Sequence, residues 1–218
     1  MIRPFGPTEF WFIVSAVQWT ILLSAVAFAG GAVGGLLIAL GRVSQNPILR
    51  NLCMGFIRLF QGTPLLMQLF LVFFGLNISG VGINPWLAAG LALTLHASAF
   101  LGEIWRGCIE AVPRGQAEAS WALGLSNYDR MKSVILPQAA KIAVAPTVGF
   151  LVQLIKGTSL ASIIGFVELT RAGQIINNAT FEPFKVFGLV AVIYFILCWP
   201  LSIYARRMEN RFAATTRR

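Results

Sequence analysis

Long stretches without a charged residue alternate with short polar segments along this chain. Residues 10–41, 59–102 and 186–205 contain no Asp, Glu, Lys or Arg. A bilayer core of about 30 Å requires roughly 20 helical residues, and its lack of water forces backbone amides to bond within a helix. The three stretches therefore predict membrane-spanning helices. Residues 59–102 are long enough for two, separated by the turn-forming segment 77–85.

A further span is predicted from residue 136 to residue 156, provided that Lys141 and Lys156 extend their ammonium groups towards the membrane surfaces. We therefore expect an all-α polytopic membrane protein with one domain over residues 1–218. A loop over about 107–135 follows the third span. The five predicted spans cover approximately residues 12–41, 54–76, 85–106, 136–156 and 184–205.

The formal net charge of +9 is compatible with nucleic-acid binding, but the distribution of Lys and Arg favours another interpretation. Most of the 17 basic residues follow spans one, three and five, and the segment between spans two and three has none. Basic residues collect on the cytoplasmic side of membrane proteins. The pattern predicts a multi-pass protein with its N-terminus outside and its C-terminus in the cytoplasm, in contact with lipid and not with nucleic acid.

The reactive residue types do not form a recognisable catalytic or metal-binding pattern. The three cysteines are scattered without metal-ligand spacing, and His96, the single histidine, is expected to be a hydrogen-bonded core residue. The glycine-rich segment 30–35 lacks the Lys-Ser/Thr of a phosphate loop. Its two GxxxG spacings instead predict close approach of another helix, from this chain or a second one. No metal or cofactor is expected on this chain, and no enzymatic activity.

The loop after span three has a local structure that its residues predict. Residues 116–123 are good helix formers, Gly124 suits the left-handed position after a helix, and Ser126 with Asp129 has capping-box spacing. A short helix carrying small residues at Ala117, Ala119 and Ala122 could fit a groove on a partner protein. It could equally lie on the lipid surface, and the loop alone leaves both alternatives open.

The same loop resembles the EAA signature of bacterial ABC importer permeases, through Glu118-Ala119-Ser120, Gly124 and the segment 134–137. Ser120 replaces an alanine of the signature but is also small. The segments 61–68, 97–103 and 156–160 are similar to the polar amino acid subfamily, the histidine, glutamine and arginine type. Gln61, Phe100 and Gly157 differ from the common residues of that subfamily.

The resemblance implies a type I ABC importer permease fold with a cytoplasmic coupling helix, in the bacterial inner membrane. It also implies an ABC ATPase dimer that binds ATP and Mg, a second permease that is identical or homologous, and an extracytoplasmic amino-acid-binding protein. In such a complex this chain would translocate polar amino acids. The residues expected to couple it to the ATPase are Gln116, Ala117, Glu118, Ala119, Ser120 and Gly124.

Three residues after span four are the expected substrate ligands: Glu168, Thr158 and Ser159. Glu168 could bind an amino group, or form an exposed pair with Arg171 at i+3. The two hydroxyl side chains could bind a carboxylate or cap the following segment. Glu103, with Arg106 one turn on, and Gln61 are expected to be gate or structural residues. A channel, a secondary transporter or an intramembrane enzyme would leave the EAA-like loop unexplained.

Overall fold

The structure, a computed structural model, describes residues 4–216, with side chains up to residue 210, and in this part of the chain the helices are joined by turns and short irregular segments, without a β-strand. The helices are α1 (Pro7–Arg42), α2 (Pro47–Gln61), α3 (Leu65–Ile78), α4 (Pro85–Glu110), α5 (Arg114–Ala122), α6 (Asn127–Ile164), α7 (Leu169–Thr180) and α8 (Pro183–Thr216). The prediction of an all-α protein is confirmed.

Four helices, α1, α4, α6 and α8, are long and apolar enough to cross a membrane, and the bent pair α2 and α3 brings the number of candidate spans to five if the pair crosses as one. The span predicted over about 54–76 falls on two helices, because the chain bends within it. The axes of α2 and α3 meet at 102°. Pro64 has no N–H to donate and disfavours helical geometry at the residue before it, so the helix stops at Gln61 and restarts at Leu65.

Close packing of α1 against α4 forms the centre of the bundle. A Cβ on Gly35 would lie 2.8 Å from the Leu101 Cβ, and one on Gly31 would overlap the Cβ of Ala97. Only glycine at these positions lets the two backbones approach so closely. The GxxxG spacings of the sequence therefore serve a contact within this chain.

The second half of the chain surrounds this pair. Helix α6 ends in a 3₁₀ segment, Thr158–Ile164, and the left-handed Gly165 follows it. Helix α7 is amphipathic and buries Leu169 and Ile176 against Ile13 of α1 and Val186 of α8. Because α7 is too short to cross a bilayer, it lies between the fourth and fifth spans as a separate element, fixed to the first and fifth.

Candidate coupling surface and transport site

The short helix α5 has the helix, break, helix arrangement that the sequence predicted. It begins after Pro113 and ends where Gly124 adopts φ +74°, a left-handed conformation that glycine allows at little cost. The N–H of Leu125 donates to the Ser120 carbonyl at 3.2 Å, which satisfies the helix end. Ser126 then caps α6, because its Oγ accepts the Asp129 N–H at 3.2 Å.

One side of α5 is attached to the rest of the chain. Ser120 is only 3% exposed and its Oγ donates to the Ala117 carbonyl at 2.8 Å. Ala117 packs on a cluster that includes Ile135, and the Gln138 Nε2 donates to the Gln116 Oε1 at 3.2 Å. Gln116 and Ala117 thus connect α5 to the start of α6.

The opposite side of α5, which we call the outer face, is exposed. It consists of Glu118, Ala119, Trp121, Ala122 and Leu123, and Tyr128 lies next to it on α6. Trp121 and Leu123 are 72% and 80% exposed. Of the three small residues predicted to fit a groove on a partner, Ala119 and Ala122 lie on the outer face, and Ala117 packs inward. Large exposed apolar side chains grouped in this way mark a surface that contacts either another protein or lipid.

Glu103 lies within an ion-pair network near the end of α4. The Arg106 guanidinium donates to both Glu103 carboxylate oxygens, at 2.6 and 2.9 Å, and also pairs with Glu110. Such a two-pronged contact holds the side chains in one geometry. The structure therefore gives Glu103 the structural pairing that was one of its two predicted roles.

Glu168 is fully buried and caps α7. Its Oε1 accepts the Arg171 N–H at 2.9 Å, and its Oε2 accepts the Thr170 N–H at 2.9 Å and the Tyr194 hydroxyl at 2.8 Å. Burial raises the pKa of the Glu168 carboxyl above its ordinary value, and this effect outweighs the hydrogen bonds that it accepts, which lower the pKa. The exposed pair with Arg171 does not form, because the Arg171 guanidinium bonds to the Gln174 amide oxygen instead.

Of the other expected site residues, Thr158 and Ser159 lie in the 3₁₀ segment at the end of α6, and Gln61 lies at the end of α2. Thr158 and Ser159 donate at 2.7 Å to the carbonyls of Ile155 and Lys156, one turn earlier, and Thr158 is completely buried. Gln61 is exposed at the end of α2, beside the break in the second span. The 3₁₀ segment that begins at Thr158 packs against α7, the helix that Glu168 caps.

Comparison with known proteins assigns these features to one family. Residues 31–214 match the family described as the binding-protein-dependent transport system inner membrane component. This chain belongs to that family. It is 34% identical over 205 residues to the probable amino-acid ABC transporter permease protein YckA of Bacillus subtilis (strain 168), covering 94% of this chain and 91% of that protein.

Two further relatives support the assignment of the chain as an inner membrane component. The glutamine transport system permease protein GlnP of Escherichia coli (strain K12) is 34% identical over 201 residues, covering 91% of this chain and 92% of GlnP. A crystal structure of an amino acid ABC transporter with histidines superposes with a TM-score of 0.87 at 34% identity, covering 92% of this chain and 94% of that one. The family predicted from the EAA-like loop is confirmed.

Sequence reasoning missed one polar contact of this inner membrane component. Gln68 Nε2 donates to the carbonyls of Phe60 and Thr63, at 2.7 and 3.0 Å, and so satisfies backbone groups freed by the break before α3. Its Oε1 faces His96 Nδ1 at 3.0 Å. A buried glutamine four residues after a proline within an apolar stretch was the available signal. His96 is thus hydrogen-bonded in the core, as predicted, and also stacks near Phe100.

No group of three or more His, Cys, Asp or Glu side chains suited to a metal ion occurs among the residues that the structure describes.

Proposed function

We propose that this permease translocates polar amino acids across the inner membrane, with energy from ATP that a separate ABC ATPase dimer binds together with Mg. An extracytoplasmic binding protein delivers the substrate, and a second permease, identical or homologous, completes the pathway. The names of the relatives support this substrate class, since they include permeases for glutamine and for L-cystine.

The outer face of α5 is the single observation that carries the proposal. Trp121 and Leu123 expose large apolar surfaces, while Gln116 and Ala117 attach the same helix to α6. Closure of the ATPase dimer displaces α5, and the contacts with α6 transmit that displacement to the fourth span. Rigid movement of packed helices of this kind is a common basis of alternating access.

The orientation of the chain follows from the same assignment. The ATPase lies in the cytoplasm, so α5 and the arginines around it are cytoplasmic. The distribution of Lys and Arg supports this orientation, with the N-terminus outside and the C-terminus inside.

The pathway lies beside α7 and the 3₁₀ segment before it. Glu168, Thr158 and Ser159 fix the shape of this region, because each uses its polar atoms in bonds to nearby backbone. The alternative to this structural role is that Glu168 binds a substrate amino group directly. The Glu168 carboxylate would then give up one of its three hydrogen bonds and accept one from the substrate. Arg171 and Gln174 face each other on the neighbouring turn and supply further polar groups.

Reconstitution tests this function. The permease is purified with its ATPase, incorporated into liposomes that contain ATP and Mg, and supplied externally with the binding protein and radiolabelled glutamine, histidine, arginine or cystine. We expect uptake that requires the permease, the ATPase and the binding protein. Uptake without ATP, or without the ATPase, would assign the chain to the channels or secondary transporters instead.

A further inference from the structure

A basic cleft lies next to the attached side of α5 and is not explained by transport. Its volume is about 580 Å³, and four arginines line it: Arg42, Arg50, Arg114 and Arg130. Glu110 is its single acidic lining residue, and Glu110 already pairs with Arg106. Within the described side chains, residues 4–210, none of the four arginines forms an ion pair.

Arg42 shows the clearest sign of a missing partner. Its Nε is buried and has no hydrogen-bond acceptor among the residues described by the structure. A buried donor on a charged group without an acceptor is costly, and such positions are usually satisfied by a bound anion or water. Because that Nε is closed off from the cleft, an anion in the cleft would meet the terminal guanidinium nitrogens of Arg42 and not this atom. The cleft thus has the positive charge of an anion site.

An apolar groove continues from the cleft along the bundle. It has a volume of about 520 Å³ and is formed by α1, α4 and α6, with Ala39, Ala140 and Ala143 among its lining residues. Ile109 lines both the groove and the cleft. Along α6 the groove runs from Leu136 to Val148, which is about 18 Å at 1.5 Å per residue.

Along α6 this length is close to the hydrocarbon depth of one leaflet, about 15 Å, whereas α1 and α4 line the groove over about one turn each. Trp105 and Thr147, joined by a 2.8 Å hydrogen bond, connect two of its walls. An apolar groove that meets an arginine-lined cleft matches part of an acyl chain and the anionic headgroup of a phospholipid. Basic pockets between spans are known to recognise such headgroups.

We propose that α1, α4 and α6 bind one anionic phospholipid from the leaflet next to α5, with its phosphate among Arg42, Arg50 and Arg130 and an acyl chain in the apolar groove. Because Arg114 and Ala117 of α5 also line the cleft, the bound headgroup connects the attached side of α5 to the ends of the first and second spans. The bound lipid then helps to hold α5 in place against these spans.

Native mass spectrometry of the purified permease–ATPase complex tests this site. Phosphatidylglycerol is titrated into detergent solution, with phosphatidylcholine as the zwitterionic comparison. We expect saturable retention of one phosphatidylglycerol per permease. Arg42→Gln/Arg50→Gln should weaken its apparent affinity by roughly fivefold for each arginine, whereas Arg42→Lys/Arg50→Lys should retain most of it. Arg207→Gln, which removes an exposed arginine of α8, is the matched control and should change nothing.

A second variant tests the groove. Ala143→Phe fills the groove and leaves all four arginines in place, so we expect it to release phosphatidylglycerol while the ATPase remains bound.

Equal retention of phosphatidylglycerol and phosphatidylcholine would contradict the site and indicate that the retained lipid belongs to the general lipid shell. Loss of the ATPase from the Arg42→Gln/Arg50→Gln complex with unchanged lipid retention would overturn the proposal and assign the cleft to acidic side chains of the ATPase. Loss of permease pairing from Ala143→Phe with unchanged lipid would assign the groove to a second permease.

Discussion

Glu168 has a buried carboxylate whose two oxygens accept three hydrogen bonds, two of them from the backbone of α7. In Glu168→Gln an amide NH₂ replaces one oxygen and faces a buried donor, so one backbone N–H of α7 loses its acceptor. We expect a loss of stability of about 1 to 3 kcal/mol, measured as thermal unfolding of the complex in detergent. Tyr194→Phe removes a single donor and should cost less.

Transport assays of the same variant decide between the two roles of Glu168. If it only caps α7, uptake in proteoliposomes should retain its dependence on substrate concentration. A shift of that dependence by tenfold or more, with unchanged thermal stability, would contradict the capping role and identify Glu168 as a substrate ligand.

Residue roles that depend on local spacing were predictable, and those that depend on the fold were not. Glu103 and Arg106 lie one helical turn apart, so their pairing could be inferred from the sequence. Glu168 directly precedes α7, but its burial depends on Tyr194, 26 residues later. The contact between Gln68 and His96 likewise joins two different spans.

The packing of α1 against α4 is the element-level feature most sensitive to substitution. A Cβ on Gly31 would lie 3.2 Å from the Ala97 carbonyl carbon and would overlap its Cβ, and backbone atoms cannot rotate away as a side chain can. We expect Gly31→Val to reduce stability by about 3 kcal/mol or more, measured by fluorescence-detected size-exclusion chromatography after heating. Gly90→Ala is the control, since its Cβ would meet nothing within 4 Å.

Equal thermal stability of Gly31→Val and Gly90→Ala would mean that α1 and α4 do not approach closely. The GxxxG spacing predicted a close contact, but the identity of the partner helix required the fold, because many helices in the bundle could face the same glycines.

The break between α2 and α3 depends on Gln68. Gln68→Leu removes the amide that satisfies the Phe60 and Thr63 carbonyls and the partner of His96. We expect a loss of about 1 to 3 kcal/mol, measured as thermal unfolding. Met67→Leu changes an exposed neighbour and should be close to neutral. An equal effect of both substitutions would show that Gln68 does not hold the bend.

The sequence predicted the second span without its bend, because hydropathy averages across Gly62, Thr63 and Pro64. The proline marked a possible interruption, but the 102° angle depends on tertiary contacts made by α3. The first, third and fifth spans were predictable because each is a long uncharged stretch with polar ends.

At the scale of the whole molecule, the proposed orientation can be measured by labelling single introduced cysteines. Gly82→Cys lies between the second and third spans and should react with an impermeant maleimide on intact cells. Glu209→Cys, near the described end of α8, should react only after permeabilisation. The unsubstituted chain gives the background from Cys53, which is partly exposed, and from the buried Cys108 and Cys198. Reaction of both introduced cysteines from the same side would contradict five spans.

The family and its coupling loop could be predicted from the sequence because the EAA-like motif is short and local. The attachment of α5 could not, since it depends on which side of a nine-residue helix meets α6. Ser120 faces inward and Trp121 outward, and adjacent residues in an amphipathic helix give little indication of this before the fold is known.

ATP-driven uptake by Gly124→Val is the most direct test of coupling through α5. The left-handed conformation of Gly124 is strained for valine, so α5 should lose its fixed position while the spans stay folded. The matched control is Gly115→Ala, whose Cβ meets nothing within 4 Å on the same helix. We expect Gly124→Val to insert normally, to retain less ATPase and to lose most uptake, while Gly115→Ala transports normally. Full uptake by well-expressed Gly124→Val would contradict coupling through α5.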